Sequence, residues 1–392
     1  MSAFGQIASV TAMNLRSVPQ RMASSSVIVV GIAGVVGVIL SVFGLTRSLQ
    51  DAVLATGSPD RAIVLRAGAT GELSSTLLVD AVATIKDAPG IARADGKPAA
   101  TADFVAAVNL LRKEDGRRAG MVVRGVDAAV MAVRPELEIV AGRPFTPGLR
   151  ELLVGRSALQ EFQGVAIGDE VALREGRWRI VGVFESGGDA NESSLIADAA
   201  TLLSAYQRTA VNSVTVRLES DAAFDTFKAA LTTNPTLSVS VERETDFYRR
   251  QSEEANQIFG LVGIAVGVFM GLGAIFAALN TMYSAVSART REIATLRAIG
   301  FGAAGVVVSV LVEALLLSLI GAAIGAAISW LMFNGNTVTL GDSVSSIVFK
   351  MQVSPALLGT GVLLACAVGF IGGLFPALRA ARVPVATALR AV

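Results

Sequence analysis

"NTMYSAVSARTREIATLRAIGF", residues 280–301, decides how the chain is laid out. It is the tail of one long apolar run, then a short segment carrying Arg289, Arg291, Glu292 and Arg297, then the head of another apolar run. A backbone passing between two bilayer crossings must keep its polar groups satisfied, and a compact helix does so. From Ser287 to Gly300 the residues include good helix formers and no proline, and Gly300 and Gly302 stand where a helix can end. Arg289 and Glu292 are three apart on one face, while Ile293, Leu296 and Gly300 share a stripe, so the segment is amphipathic. On its residues alone it is either a loop that satisfies the positive-inside rule or a helix on which a partner docks.

The apolar runs on either side extend this reading. Crossing the hydrocarbon core takes about 20 apolar residues, and four stretches qualify: 26–46, 255–286, 302–333 and 355–377. The first reads as an uncleaved signal-anchor helix, because its apolar part is too long for a signal peptide and no A-x-A-like site follows. The segments left over are 1–25, 47–254, 287–301, a short outer loop at 334–354, and 378–392. With the N-terminus in the cytoplasm, Arg16, Arg21, Arg289, Arg291, Arg297, Arg379, Arg382 and Arg390 all stay inside against the single acid Glu292. Arg47, Arg249 and Arg250 fall outside, but they flank a large domain that translocates regardless of charge. Trp330 and Phe333 sit at the outer end of the third span as interface anchors. The expected topology is N-in and C-in, with residues 1–25 lying along the inner membrane surface.

Composition agrees with a membrane protein and excludes several chemistries. Of 392 residues, 53% are hydrophobic and 17% charged, too apolar for an ordinary soluble chain. A net charge of +1 gives no pull toward nucleic acid. With no histidine and only Cys366, neither an intrachain disulfide nor a His/Cys zinc site can form, and Cys366 reads as a small apolar residue. Gly96-Lys97 runs into Pro98, and no phosphate-binding G-x-x-x-x-G-K-[ST] string occurs. An enzymatic reading of residues 47–254 is poor, since no nucleophile–base pair is recognisable there.

Residues 47–254 alternate strand-like and helix-like patterns. "RAIVLRAG", "MVVRGVD" and "NSVTVRLES" read as strands, and "TLLVDAVATIKDAP" and "DAAFDTFKAALTTN" as helices. The order strand, helix, strand recurs over Ala62–Ile91 and Asn212–Val241. Between them "AGRPFTPG" and "ESGGDANESS" read as short strands and solvated loops. The expected fold is therefore a four-span helical membrane protein with a large two-lobed α+β domain between the first two spans.

Three features inside the spans call for a reading. Gly263, Gly267 and Gly271 form a small-residue stripe that fits either a dimer seam or a contact within the chain, with the seam favoured. Ala33, Gly37 and Ser41, with Gly321 and Gly325, read as packing within the subunit. Glu313 lies within an otherwise uncharged third span, with Ser309 one turn away. A charge there is expensive, so a structural polar contact is expected rather than proton coupling.

The opening stretch, "LVEALLLSLIGAAIGAAIS" at 311–329 and "GFIGGLFPALRAARVPVATALR" at 369–390 together resemble the permease subunits of the FtsX/MacB superfamily of ABC transporters. The likeness extends to "NLRSVPQR", "TGSPDRAIVLRAG", "VVRGV" and "AGRPFTPGLRELLVGR", and so to nearly the whole chain. The resemblance implies an inner-membrane permease that pairs with a second permease subunit, expected to be a copy of itself. It implies two copies of a separate ABC ATPase on the cytoplasmic side, and in some relatives a periplasmic adaptor. ATP and Mg would belong to the ATPase, with no cofactor on this chain. The coupling helix would comprise Arg289, Thr290, Arg291, Glu292, Ile293, Leu296, Arg297 and Gly300. In such proteins hydrolysis moves the periplasmic domains (mechanotransmission) to export or extract a substrate. The division-type relatives imply an alternative, the switching on of a periplasmic enzyme without transport.

Overall fold

The computed structural model describes residue 11 and residues 22–299, 302–341 and 346–382. The chain opens with α1 (Met22–Ala55), followed by β1 (Arg61–Arg66), β2 (Leu77–Leu78), α2 (Val79–Lys86), β3 (Arg93–Ala94) and β4 (Lys97–Pro98). Next come β5 (Ala100–Leu111), β6 (Arg118–Val126), α3 (Val130–Val133), β7 (Glu138–Gly142), β8 (Glu151–Gly155), α4 (Arg156–Glu161) and β9 (Glu170–Ala172). Then follow β10 (Arg177–Glu185), β11 (Leu195–Asp198), α5 (Ala199–Ala205), β12 (Ala210–Val211), β13 (Ser213–Arg217), α6 (Ala223–Thr232) and β14 (Val239–Arg243). The chain closes with α7 (Glu244–Ala288), α8 (Thr290–Ala298), α9 (Ala303–Phe333), the hairpin β15 (Thr337–Gly341) and β16 (Ser346–Lys350), and α10 (Pro355–Arg382).

These elements form two units. The membrane unit takes the described residues of Met1–Arg47, Gln257–Asn336 and Met351–Val392. The inserted unit takes Ser48–Asn256 and Thr337–Lys350. Among the described residues, four helices are long and apolar enough to cross a membrane: Ser25–Ala55, Gly260–Ala288, Ala303–Phe333 and Pro355–Arg382. The large α+β domain lies in sequence between the first and second of them, as the patterning indicates. At about 1.5 Å per residue the 45 residues of α7 run to about 67 Å, twice a hydrocarbon core of about 30 Å. Its first turns, and the last turns of α1, therefore belong to the inserted unit rather than to a crossing.

In the membrane unit the helices meet where side chains are smallest. A Cβ on Gly321 would fall 2.8 Å from the Val29 carbonyl oxygen, and one on Gly325 would clash outright with the Ala33 backbone. Ser329 Oγ adds a hydrogen bond to the Gly37 carbonyl at 2.9 Å. α1 and α9 thus pack backbone to backbone, through the residues read as intrasubunit contacts. On α10, a Cβ at Gly373 would lie 2.7 Å from the Ala314 methyl, and one at Gly372 2.6 Å from that of Ala278. Lipid is as apolar as a leucine, so this closeness of approach, not burial from water, draws the helices together.

The inserted unit is built on one sheet in the order β14-β1-β13-β5-β6-β11-β8-β10-β7, with β9 beside β10. Its two lobes share β5. The first part of that strand pairs with β13 (Ala100 with Val216, Asp103 with Ser213), and from Phe104 onward it pairs with β6. In one lobe α2 and α6 cover the sheet, burying Ile85, Phe224, Phe227 and Leu231 against Val64 and Val214. Phe224, Phe227 and Leu231 recur at helical spacing, which gives α6 one apolar face. In the other lobe Trp178, Phe162, Met121 and Leu152 form the core under α4 and α5. Asp198 caps α5 by accepting from Thr201 N at 3.0 Å.

Two expectations are corrected here. "ESGGDANESS" is not a solvated loop: Ser186, Asp189, Asn191, Glu192, Ser193 and Ser194 are all buried. Its polar groups satisfy one another. Glu192 Oε1 accepts from Ser186 N at 2.9 Å and Gly188 N at 2.7 Å, and Asp189 accepts from Asn191 N and Nδ2. Residues 334–354 are likewise more than a short loop. Their β15–β16 hairpin belongs to the inserted unit, where Val348 joins the Trp178 core. Ser193 holds it from both sides, donating to Val348 O at 2.9 Å and accepting from Val348 N at 2.8 Å.

Candidate functional site

The charged segment between the second and third crossings folds as α8, with Arg289 as its N-cap residue and Ile299 as its C-cap. Arg289 is the corner between α7 and α8. Its N–H donates to Val286 O at 3.1 Å, and its carbonyl accepts from Ile293 N at 2.9 Å. Ile293 and Ala294 face inward, and Ile293 packs in one apolar cluster with Met282, Val286, Val306 and Val310. Arg291, Glu292, Thr295, Ala298 and Ile299 face outward, Ile299 with 68% of its surface exposed. Thr290, Leu296 and Arg297 are half-buried, and Gly300 lies outside the described residues.

This geometry redistributes the expected roles. Ile293 serves as a hook into the chain's own core, whereas Ile299 offers the exposed apolar knob. Sequence reading passed over Ile299 because it stands beside the presumed stripe, at the helix terminus. Arg289 is not an exposed charge but a buried one. Its Nη1 lies 3.6 Å from Glu313 Oε2, and both side chains are more than nine-tenths buried. Its Nε is 4.0 Å from Glu292 Oε2, a looser pairing on the open side of α8.

Glu313 therefore has a charged partner contributed from outside the crossings, which its apolar surroundings in sequence had concealed. Glu313 is the eleventh residue of α9, and the arginine at the α7–α8 corner reaches it there. Ser309, fully buried, lies one turn before it. Breaking a buried pair of this kind by removing one member costs about 3–5 kcal/mol.

The glycine stripe divides. A Cβ on Gly263 would meet Val42 Cγ1 at 2.9 Å, and one on Gly267 would meet Ile39 at 3.4 Å, so these two seat α7 on α1 of the same chain. Gly271 has nothing within 4 Å of a Cβ position. The bulky face of α7 points elsewhere, leaving Leu261, Phe269 and Phe276 exposed by 71, 75 and 68%.

A second charged cluster stands in the inserted unit where α7 begins. Glu244 is completely buried and takes Arg61 on one carboxylate oxygen and Arg134 on the other, the latter at 2.7 Å. Ser58 N donates to it at 3.1 Å, and Arg61 also reaches Glu136 at 2.7 Å and Thr56 O at 3.1 Å. Thr56 follows α1 directly, so this knot ties the exit of one long helix to the entry of the other. Beside it Arg124 grips Glu72 with two bonds of 2.7 Å and Asp103 with one of 3.0 Å. Burial alone would raise the Glu72 pKa, but the charge and hydrogen bonds of Arg124 outweigh it and hold it at about 2. Asp189 goes the other way: burial, only partly offset by its hydrogen bonds, lifts it to about 6.

Comparison with known proteins agrees with the layout. Residues 25–234, more than half of the chain, match the MacB-like periplasmic core domain, and residues 264–385 match the FtsX-like permease C-terminal domain. Among solved structures, the periplasmic region of MacB from Actinobacillus actinomycetemcomitans is similar at 14% identity and a TM-score of 0.37, over 50% of this chain and 92% of that one. The extracellular domain of the noncanonic ABC-type transporter YknZ from Gram-positive bacteria is similar at 16% identity and a TM-score of 0.36, over 46% of this chain and 99% of that one. A search of the curated proteins finds no match. With both family domains found in the order that its helices and inserted sheet require, the chain belongs to the FtsX/MacB-type family of ABC permeases.

Proposed function

We infer that this permease is driven by a separate ABC ATPase acting on the open face of α8, and that the resulting helix movement shifts the inserted domain to export or extract a substrate. The observation that carries this reading is the two-sidedness of α8. One face is seated in the membrane unit through Ile293 and Ala294, while the other offers Ile299 with Arg291 and Glu292 around it. A short helix held in this way suits a partner pocket that takes one apolar knob and reads flanking charges. In this scheme the chain sits in the inner membrane with both termini in the cytoplasm, as the basic residues near α7, α8 and α10 favour. ATP and Mg are bound by the ATPase and not by this chain. The inserted domain is periplasmic, where an adaptor has access to it. A second copy of the chain completes the complex, and the exposed face of α7 at Leu261, Phe269 and Phe276 is the surface we assign to it.

The test is co-purification from native membranes. Wild-type protein should bring down an ABC ATPase, and Ile299→Asp should lose it while keeping wild-type expression and thermal stability, since an exposed site alters stability by less than about 0.5 kcal/mol. Glu292→Arg should weaken the complex less, and more so at low salt, as a rim charge does. Retention of the ATPase by Ile299→Asp would remove α8 from the interface.

A further inference from the structure

The contact between α8 and the rest of the membrane unit combines two kinds of interaction. Ile293 and Ala294 lie on an apolar seat that includes Val306 and Val310. Each contact in such a seat is individually weak and non-directional, so a small displacement of α8 costs little per atom pair. The other contact is the pair between Arg289, the corner residue of α7 and α8, and Glu313 in α9. That pair has a single register. If α8 rolls or slides, two buried charges are drawn apart in largely apolar surroundings, which is costly.

We propose that Glu313 is the positioning residue of α8: through Arg289 it pins the α7–α8 corner to α9, so that a push on the open face of α8 moves α9 with it instead of rolling α8 over its seat. This rests on the reading that a partner acts on α8, but the pinning itself is a property of this chain alone. Glu313 makes no contact with the partner in this scheme, because it is buried under Arg289 while the partner meets Arg291, Glu292, Thr295 and Ile299 on the opposite side. Loss of its charge should therefore spare binding and abolish transmission.

The experiment uses the full chain in lipid nanodiscs in a Cys366→Ala background. Nitroxides are placed at Thr295→Cys on the open face of α8 and at Leu331→Cys near the far end of α9, both exposed positions. With the labelled chain diluted into an excess of unlabelled chain, so that each pair of copies carries at most one labelled chain, double electron–electron resonance should give one narrow distance distribution for the parent protein. Glu313→Gln should at least double its width. Arg289→Lys, which keeps the charge, should stay narrow, and the exchange Arg289→Glu with Glu313→Arg should recover most of the lost order. An unchanged width in Glu313→Gln overturns the proposal, as does equal broadening in Arg289→Lys, which would mean that packing and not charge sets the position. In the complex with the co-purified ATPase, Glu313→Gln should retain the partner yet lose at least tenfold of the permease-dependent hydrolysis; full hydrolysis with a broadened distribution would sink the transmission claim. Should no ATPase accompany the wild-type protein, the functional reading above fails, while the distance measurements still decide whether Glu313 positions α8.

Discussion

The two units hold their parts together by opposite means. In the membrane unit the contacts are made by what is missing: Gly321, Gly325, Gly372 and Gly373 bring backbones together where no side chain stands between them. In the inserted unit the root of the long helices is made by what is added, a carboxylate that gathers two arginines and a backbone N–H. The surroundings explain the difference. Helices in lipid gain little from hiding apolar surface, so close dispersion contact must do the work. A domain facing water has hydrophobic cores to hold it, and can spend buried polar groups on fixing geometry. Arg289–Glu313 departs from that pattern, a buried ionic contact in a unit packed largely through glycines.

The contrast can be broken most forcefully at Glu244. Glu244→Ala leaves Arg61 and Arg134 buried without their shared counter-charge, at a cost of about 3–5 kcal/mol. Thermal unfolding in nanodiscs should show the transition of the inserted domain lowered or lost. Glu242→Ala, which removes the half-exposed pair with Arg250 and a long hydrogen bond from Ser240, should cost less than about 1 kcal/mol. Equal effects from the two would mean that the knot is no more than a surface pair.

In the membrane unit the matching change is Gly325→Leu, which drives a side chain into the Ala33 backbone and should cost about 3 kcal/mol by overpacking. Gly359→Leu, where nothing lies within 4 Å, is the control and should leave the melting temperature unchanged. If both mutants melt like the wild type, the α1–α9 contact is not what holds these helices.

The smallest effect concerns pH. Asp189 has a folded pKa of about 6, above the ordinary carboxylate value of 3.8, so the folded state takes up a proton first on acidification. Its contribution is fully present below the unfolded pKa and is lost as pH rises through about 6. Between about pH 7 and pH 5 it should add about 1 kcal/mol to stability. Glu72, held at about 2, behaves in the opposite sense: its contribution is present above its unfolded value of 4.5 and is lost as the pH falls toward about 2. Comparing Asp189→Asn with wild type across the upper window isolates the first effect, and parallel curves would refute it.

What could be read from sequence follows from how local each signal is. The four crossings and α8 were legible because a run of apolar residues and its charged interruption need no knowledge of the rest of the chain. The paired strand–helix–strand units came from short-range alternation, and the contacts of Ala33, Gly37, Gly321 and Gly325 from small residues at helical spacing. Glu313 announced that it needed a partner, but Arg289 could be found only once α8 had folded back beside α9. "ESGGDANESS" misled because polarity in a stretch of sequence says nothing about whether its groups will satisfy one another. The strand at Ser346–Lys350 went unread, because the stretch between the last two crossings is short and its pairing partner lies far back in the chain; only the fold shows that Ser193 bonds to it.

That strand has a consequence for how the protein is made. Val348 fills a place in the Trp178 core, so the inserted domain is completed by residues that the ribosome delivers only after the third crossing has been synthesised. Translation brings out residues 48–256 long before, and they must wait with one wall of the core open to water while two more helices enter the bilayer. The domain is therefore not a bead that matures on its own and is then carried by the membrane helices; its last piece reaches it only when the membrane part is nearly built. Cutting the gene at the ends of residues 48–256 would yield a chain without its own keystone.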